Sequence, residues 1–348
     1  MRNFTEHLIS HRTSLKDALA VLNKLAKDAI AFVVDEQRHL IGCLTDGDIR
    51  RGLLKGLTPN DRVESFLQPD PKYIRKDQYT IEEIIELRTK NFRIVPVLNG
   101  EQEIVNVINF RFLKSYLPFD AVIMAGGEGS RLKPLTDNIP KPLLKVGEKA
   151  IIDHGLDRLR QFGVDDFWIS LNYLGEQIEA HFGDGKERSV KIHYIREEKP
   201  LGTIGAVSQV KDFQHDYVLV TNSDILTNID YEDFFLDFLQ KEADMAVVSI
   251  PYQVNIPYAV LNTSDNEILS FTEKPTFTYY SNGGIYLIKR KMLEYIPTGS
   301  FYNSTDLMQK LMKERHRVIS YPLRQYWLDI GKPSDFDKAQ EDIKHIYF

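Results

Sequence analysis

Between Asp120 and Leu144 the sequence reads DAVIMAGGEGSRLKPLTDNIPKPLL. It sets Gly126, Gly127 and Gly129 directly after a short apolar run, then adds two cations, Arg131 and Lys141, each near a proline. Glycines carry no side chain and tolerate positive φ, so their N–H groups can approach an anion closely. Arg131 and Lys141 add full positive charges. The chemistry open to such a stretch is phosphate handling, delivered by a buried strand that ends near Met124.

Other residues with chemical potential stand at the ends of apolar runs. In YVLVTNSDIL, which begins at Tyr217, the apolar run leads directly into Asp224. A carboxylate at a strand tip suits Mg²⁺ on nucleotide phosphates, and taken alone it equally suits a turn. Asp329 lies in Trp327-Leu328-Asp329-Ile330-Gly331, too far along the chain for anything local to pair it with Asp224. Glu273 and Lys274 precede Pro275, and Asn282 precedes Gly283 and Gly284. The step Pro200-Leu201-Gly202-Thr203 leads into an apolar segment, which suits a loop reading a nucleobase edge with Thr203 capping a helix behind it.

The elements that must position these residues alternate. Strands are predicted over 121–124, 167–171, 191–195, 217–221, 245–250 and 284–288, and helices over 151–161, 204–210, 231–240 and 305–313. That alternation predicts a largely parallel sheet covered by helices, with ligands at the carboxyl ends of the strands.

Two familiar glycine loops do not fit. No Gly-Lys-Ser/Thr ending is present, and Leu132 occupies the third-glycine position of the dinucleotide fingerprint. The pattern instead resembles the signature of sugar nucleotidyltransferases, the pyrophosphorylases that make nucleotide sugars. It is carried by Gly126, Gly127, Gly129, Arg131, Leu132, Pro134, Leu135, Thr136, Pro140, Lys141 and Pro142. The resemblance implies a Rossmann-like α/β fold with a mixed, mostly parallel sheet of GT-A-like type. It also implies roles: Arg131, Lys141 and Lys274 catalytic; Ala125, Gly126, Gly127, Gly129, Asn172, Gly202 and Thr203 on the nucleotide; Asp224 and Asp329 on Mg²⁺; Glu273 and Asn282 on the sugar. The form Pro-Leu-Gly-Thr looks more like guanylyltransferases than thymidylyltransferases.

Residues 5–117 carry a weak internal duplication. Each copy reads helix, strand, strand, helix, through SLKDALAVL and LIGCLTDGDIRRGL in the first and TIEEIIEL and IVNVINFRFL in the second. Neither copy buries much alone, so the two are expected to pack face to face. This part resembles a cystathionine-β-synthase-type (CBS) domain pair. The resemblance implies an adenine nucleotide held by Thr45 and Asp48, although Asp48 equally suits a helix cap. The second copy has Asn109 and Phe112 at the matching positions, so the carboxylate is missing there. A boundary near residue 118 gives a CBS pair over 1–118 and a catalytic domain over 119–348.

Composition narrows the rest. The chain has 348 residues, net charge −6 and a single cysteine, Cys43. These exclude an internal disulfide framework and a cysteine zinc cluster, and argue against nucleic acid or anionic membrane as partners. With no signal-peptide layout and no long apolar run, a cytoplasmic protein is expected. The expected reaction moves a nucleotidyl group from an NTP, GTP favoured, to a sugar 1-phosphate, giving an NDP-sugar and pyrophosphate for surface glycans. UTP, dTTP or CTP in place of GTP is one alternative; a non-catalytic nucleotide sensor is another. Because CBS pairs often associate in twos, a homodimer is expected.

Overall fold

The computed structural model describes residues 4–76 and 78–346. It divides into two compact units, one of Met1–Pro118 with Arg160–Asp165 and Asp184–Lys191, the other of Phe119–Leu159, Asp166–Gly183 and Ile192–Phe348.

In the first unit, β1 (Leu8–Ser10), α1 (Leu15–Leu25), β2 (Ile30–Val34), β3 (Leu40–Thr45) and α2 (Asp46–Leu54) form one repeat. The second repeat is β4 (Ile74–Arg75), α3 (Ile81–Thr89), β5 (Ile94–Leu98) and β6 (Ile104–Asn109). In each, the first strand runs parallel to the second and the second antiparallel to the third, giving two matching three-stranded sheets. Leu15, Ala18, Leu22 and Leu25 are buried along one face of α1, at the spacing that directs side chains to one side of a helix. Phe32, Val34 and Cys43 of the first repeat share a core cluster with Leu98, Ile104 and Val107 of the second, so the two copies do pack against each other.

The repeats differ from expectation in two ways. A short strand precedes each helix, too brief to leave an alternating signature. The second repeat also lacks its closing helix: after β6 the chain turns, with Asn109 Oδ1 accepting from Arg111 N at 3.0 Å. The first repeat begins its closing helix with a capping box, Thr45 Oγ1 accepting from Asp48 N and Asp48 Oδ2 from Thr45 N at 2.9 Å. With Phe112 in place of Asp48, the second repeat has no acceptor to complete such a box.

Thr45 and Asp48 are therefore engaged locally. Asp48 is 5% exposed, and its other oxygen, Oδ1, accepts from Arg51. α3 begins on the same device, a capping box between Thr80 and Glu83.

The second unit opens with β7 (Phe119–Met124) and continues through a small hairpin, β8 (Lys145–Val146) and β9 (Lys149–Ala150), to α4 (Ile151–Gln161). Next come β10 (Asp166–Leu171), α5 (Gly175–Phe182), β11 (Lys191–Arg196), β12 (Tyr217–Asn222), β13 (Ile225–Thr227) and α6 (Tyr231–Gln240). A long excursion follows through β14 (Met245–Asn255), β15 (Val260–Ser264), β16 (Glu267–Thr272) and β17 (Thr276–Lys289). The chain ends with α7 (Ser304–Lys313), β18 (Val318–Pro322), β19 (Trp327–Asp329) and α8 (Pro333–Asp342).

Seven strands build the main sheet in the order β11-β10-β7-β12-β17-β14-β18. β10, β7 and β12 are mutually parallel, as are β14 and β18, while β17 runs antiparallel to both its neighbours. β7 is buried up to Met124 and β12 is buried between its two end residues, in keeping with their near-continuous apolar runs. No helix among the described residues is long and apolar enough to cross a membrane.

Thr45→Ala removes the cap of α2 and should lower the stability of the first unit by about 1 kcal/mol, read as a shifted urea midpoint. An unchanged midpoint would show that the capping box contributes nothing.

Candidate active site

β7 and β12 are paired so that Asn222 lies opposite Met124, and Ser223 N donates to Met124 O at 3.2 Å. The glycine loop and Asp224 thus leave the sheet side by side, at the carboxyl ends of parallel strands. Gly129 takes φ +63°, and a Cβ there would stand 2.8 Å from Lys141 Cβ and 3.1 Å from Thr136 Cγ2. Only glycine lets the loop pack so closely on the Lys141 stem. Lys141 follows Pro140 and opens a short 3₁₀ turn, Lys141–Leu143. It is 8% exposed, and its Nζ donates to Asp224 Oδ2 in an ion pair.

The second carboxylate arrives through a two-stranded ribbon. β13 pairs antiparallel with β19, Ile225 lies opposite Asp329, and Ile330 N donates to Asp224 O at 3.0 Å. Asp224 and Asp329 are thereby held next to each other. Burial and then the Asp224 charge push the Asp329 carboxyl above its ordinary range, while Lys141 and Arg131 pull it back. Asp224 Oδ1 and Asp329 Oδ1 are both buried and accept no hydrogen bond. Buried oxygens lacking donors are costly unless something else satisfies them, and two adjacent carboxylates are a donor set suited to a hard divalent cation.

Two clefts meet here. The larger, about 380 Å³, is lined by Gly126, Gly127, Gly129, Arg131, Lys141 and Asp224 on one side and by Glu197, Leu201, Gly202 and Thr203 on another. A second, about 280 Å³, is lined by Asn282, Gly284, Tyr286, Asn303, Trp327 and Asp329. Thr203 and Asn222 belong to both walls. Asp224 borders the first cleft and Asp329 the second, so the carboxylate pair stands where the two adjoin.

Other expected residues fall at varied distances from the clefts. Ala125 is buried behind the loop, its N–H donating to Ser170 O and Oγ at 3.2 Å. Asn172 sits beside Gly126, with Nδ2 donating to Glu197 O at 3.0 Å. Thr203 does not cap the segment behind it. That segment is a 3₁₀ turn, Gly205–Gln209, rather than the expected α-helix, and Tyr302 O accepts from both Ile204 N and Gly205 N. With those donors satisfied, Thr203 Oγ1 instead accepts from Ser304 N at 2.9 Å and tethers the start of α7. Asn282 Oδ1 accepts from Gly284 N and Tyr286 OH, both at 3.0 Å. Glu273 and Lys274 line neither cleft.

Glu197 belongs to no motif considered above. It lies just beyond β11 and accepts from Leu201 N through Oε2 at 2.9 Å. A Cβ on Gly126 would meet its Oε1 at 2.9 Å, so the carboxylate packs against the glycine loop. Burial raises its pKa, while the Leu201 N–H and the Ser170 hydroxyl favour the charged form. Its only sequence signal is an acidic residue where a strand ends beside a predicted base loop.

Residues 7–55 match the family model of the CBS domain. Among relatives, the chain is 31% identical over 251 residues to a UTP–glucose-1-phosphate uridylyltransferase of Synechocystis, covering 65% of each chain. It is 29% identical to a D-glycero-α-D-manno-heptose 1-phosphate guanylyltransferase of Aneurinibacillus thermoaerophilus, over 65% of this chain and 99% of that one. The crystal structure of HddC from Yersinia pseudotuberculosis complexed with GMP-PN superposes with a TM-score of 0.50 at 26% identity, over 65% of this chain and 99% of that one. The chain thus spans about two-thirds of the length of the Synechocystis protein. Residues 120–345, which hold the glycine loop, both carboxylates and both clefts, match the nucleotidyl transferase family model, and the chain belongs to that family.

Proposed function

We propose that the chain transfers a nucleotidyl group from a nucleoside triphosphate to a sugar 1-phosphate, releasing pyrophosphate. The observation that carries this reading is the pair of adjoining clefts meeting at two carboxylates whose Oδ1 atoms are buried and without donors. One compartment has cations and a glycine loop for a polyphosphate. The other has amides, hydroxyls and Trp327, a lining that suits a sugar.

A sugar 1-phosphate oxygen, already ionised at neutral pH, attacks the α-phosphorus; the bond to the β-phosphate oxygen breaks and pyrophosphate leaves. No general base is required, so the protein's task is positioning and charge neutralisation. Arg131 and Lys141 neutralise the triphosphate and the departing pyrophosphate. Asp224 and Asp329 would hold Mg²⁺, which supplies Lewis-acid stabilisation of phosphate charge. Lys141 occupies Asp224 Oδ2 and leaves Oδ1 of Asp224 and of Asp329 as the oxygens that would take the ion. Leu201, Gly202 and Thr203 border the base region, Glu197 fixes Leu201, and Asn282 faces the sugar compartment.

We favour GTP on the Pro200-Leu201-Gly202-Thr203 loop together with the guanylyltransferase relative; the uridylyltransferase relative supports UTP as the second reading. In the N-terminal unit an adenine nucleotide could reach Asp48 only by displacing Arg51 from Oδ1, so the geometry supports the capping role there.

Pyrophosphate release measured with GTP, UTP, dTTP, CTP and ATP against a panel of sugar 1-phosphates should be greatest with GTP; a maximum with UTP would change the base, and no release with any pair would refute the reaction. Lys141→Ala and Asp224→Ala should each lower turnover about a hundredfold or more with the fold intact, on the usual scale of electrostatic stabilisation. A folded Asp224→Ala enzyme with near-normal Mg²⁺-dependent turnover would remove Asp224 from the metal.

Glu197 gives a pH prediction. Its folded pKa is raised, so between the ordinary glutamate range, about 4.3, and the raised value the native state keeps a proton that the unfolded chain releases. Stability falls as pH rises through that window. Glu197→Gln can still accept from Leu201 N but cannot ionise. It should melt higher than the parent at pH 7, with the gain vanishing near pH 4, and a pH-independent difference would contradict the assignment.

A further inference from the structure

The excursion between β14 and β17 behaves unlike the rest of its unit. The first five residues of β14, Met245–Ser249, and the last seven of β17, from Gly283 onward, lie within the sheet and are almost all buried, whereas the residues between them are almost all exposed. Nine of the nineteen large exposed apolar side chains among the described residues fall between Tyr252 and Tyr280, fewer than a tenth of the chain. They include Tyr252, Tyr258, Phe271, Phe277, Tyr279 and Tyr280, between 40% and 75% exposed. The arm consists of strand pairs, β14 with β17 and β15 with β16. A two-stranded ribbon is marginal in water without a covering partner, and an apolar patch of this size marks an interaction surface.

The arm also holds residues that the site lacks. Lys274 stands between β16 and β17 with φ +43° and lines neither cleft, and neither it nor Glu273 has an ion pair among the described residues. Asn282 at the arm's root does line the sugar compartment. From Asn282 to Thr276 the strand runs outward over six residues, about 20 Å at ~3.3 Å per residue. One chain therefore keeps Lys274, which the resemblance assigns to the sugar phosphate, out of the lining of its own two clefts.

We propose that the arm seats on a second copy of this chain and that Lys274 reaches the sugar compartment of that copy, the exchange being reciprocal in a two-fold dimer. This rests on the reaction proposed above. Given rings of ~150–250 Å² and the exposures observed, the arm offers on the order of 800 Å² or more, what one partner brings to a stable interface. Two-fold exchange of identical elements lets both arms be covered and both sites completed by one contact. The arm's root is built for a change of direction. β14 shifts register between Val247 and Ser249, and Gly283 and Gly284 face it, Gly284 at φ +70°.

The test is complementation. Lys274→Ala and Asp224→Ala homodimers should each fall about a hundredfold or more in turnover. Heterodimers of the two, purified through different tags, should recover about half of the wild-type turnover per dimer, because one of the two sites then combines an intact body with an intact arm. Heterodimers as inactive as their parents, or a monomeric mass at assay concentration, would overturn the proposal. An activity-independent arm uses Cys43→Ala, Lys274→Cys and Phe301→Cys together, Phe301 lining the first cleft. A short bismaleimide should give a species of twice the chain mass; an internal link or none counts against the exchange. If the wild type releases no pyrophosphate with any substrate pair, the reaction fails while the cross-link still decides the placement of the arm.

Discussion

Two carboxylates held side by side in a buried corner set the terms for the rest of the catalytic unit. Asp224 and Asp329 are brought together by backbone pairing of β13 with β19, not by attraction between side chains. Their mutual repulsion and desolvation appear in the raised Asp329 carboxyl. Lys141 offsets one charge through Asp224 Oδ2, and Arg131 contributes from beside Gly331, where a Cβ would lie 3.5 Å from its guanidinium. The oxygens left without donors are the site's unfinished part. The glycine loop, the prolines around Lys141 and the register of β7 on β12 all serve to bring cations to this one corner.

Much of this was readable because it is local. The spans of α4 and α6 follow from apolar spacing, and the glycine loop follows from residue type. Pairing of Asp224 with Asp329 is not local, since it depends on a three-residue ribbon with no hydrophobic period of its own. Glu197 escaped for a related reason: its position is fixed by Leu201 N and by the close approach of Gly126, both properties of the folded loop. α5 and α8 also went unread. α5 is only eight residues long and buries just Gly175, Ile178 and Phe182, while α8 starts at Pro333 in a polar stretch and buries only Ala339.

In the N-terminal unit the same residues can be read as a cap or as a ligand clamp, and the two repeats separate these readings. α3 begins with Thr80 and Glu83 in the geometry of Thr45 and Asp48, without the surrounding motif that suggested a ribose. A device used at both helices is more economically a helix start. The second repeat then shows the consequence of losing it: Asn109 closes a turn and no helix follows.

The two compartments of the catalytic unit are not independent. Thr203 lines both, its N–H donating to Asn303 Oδ1 at 3.3 Å and its Oγ1 accepting from Ser304 N. Asn303 and Ser304 in turn line the second cleft, and Ser304 Oγ donates to Tyr286 OH at 2.7 Å. In the proposed reaction a base against Leu201 and Gly202 would press on a loop stitched by hydrogen bonds to the lining of the second cleft. Such a chain of short, directional contacts resists small displacements. Under the proposed reaction, one hydrogen-bonded assembly rather than two separately adjustable pockets would set the positions of the two phosphates, which is what a reaction depending on alignment and charge, with no general base, requires.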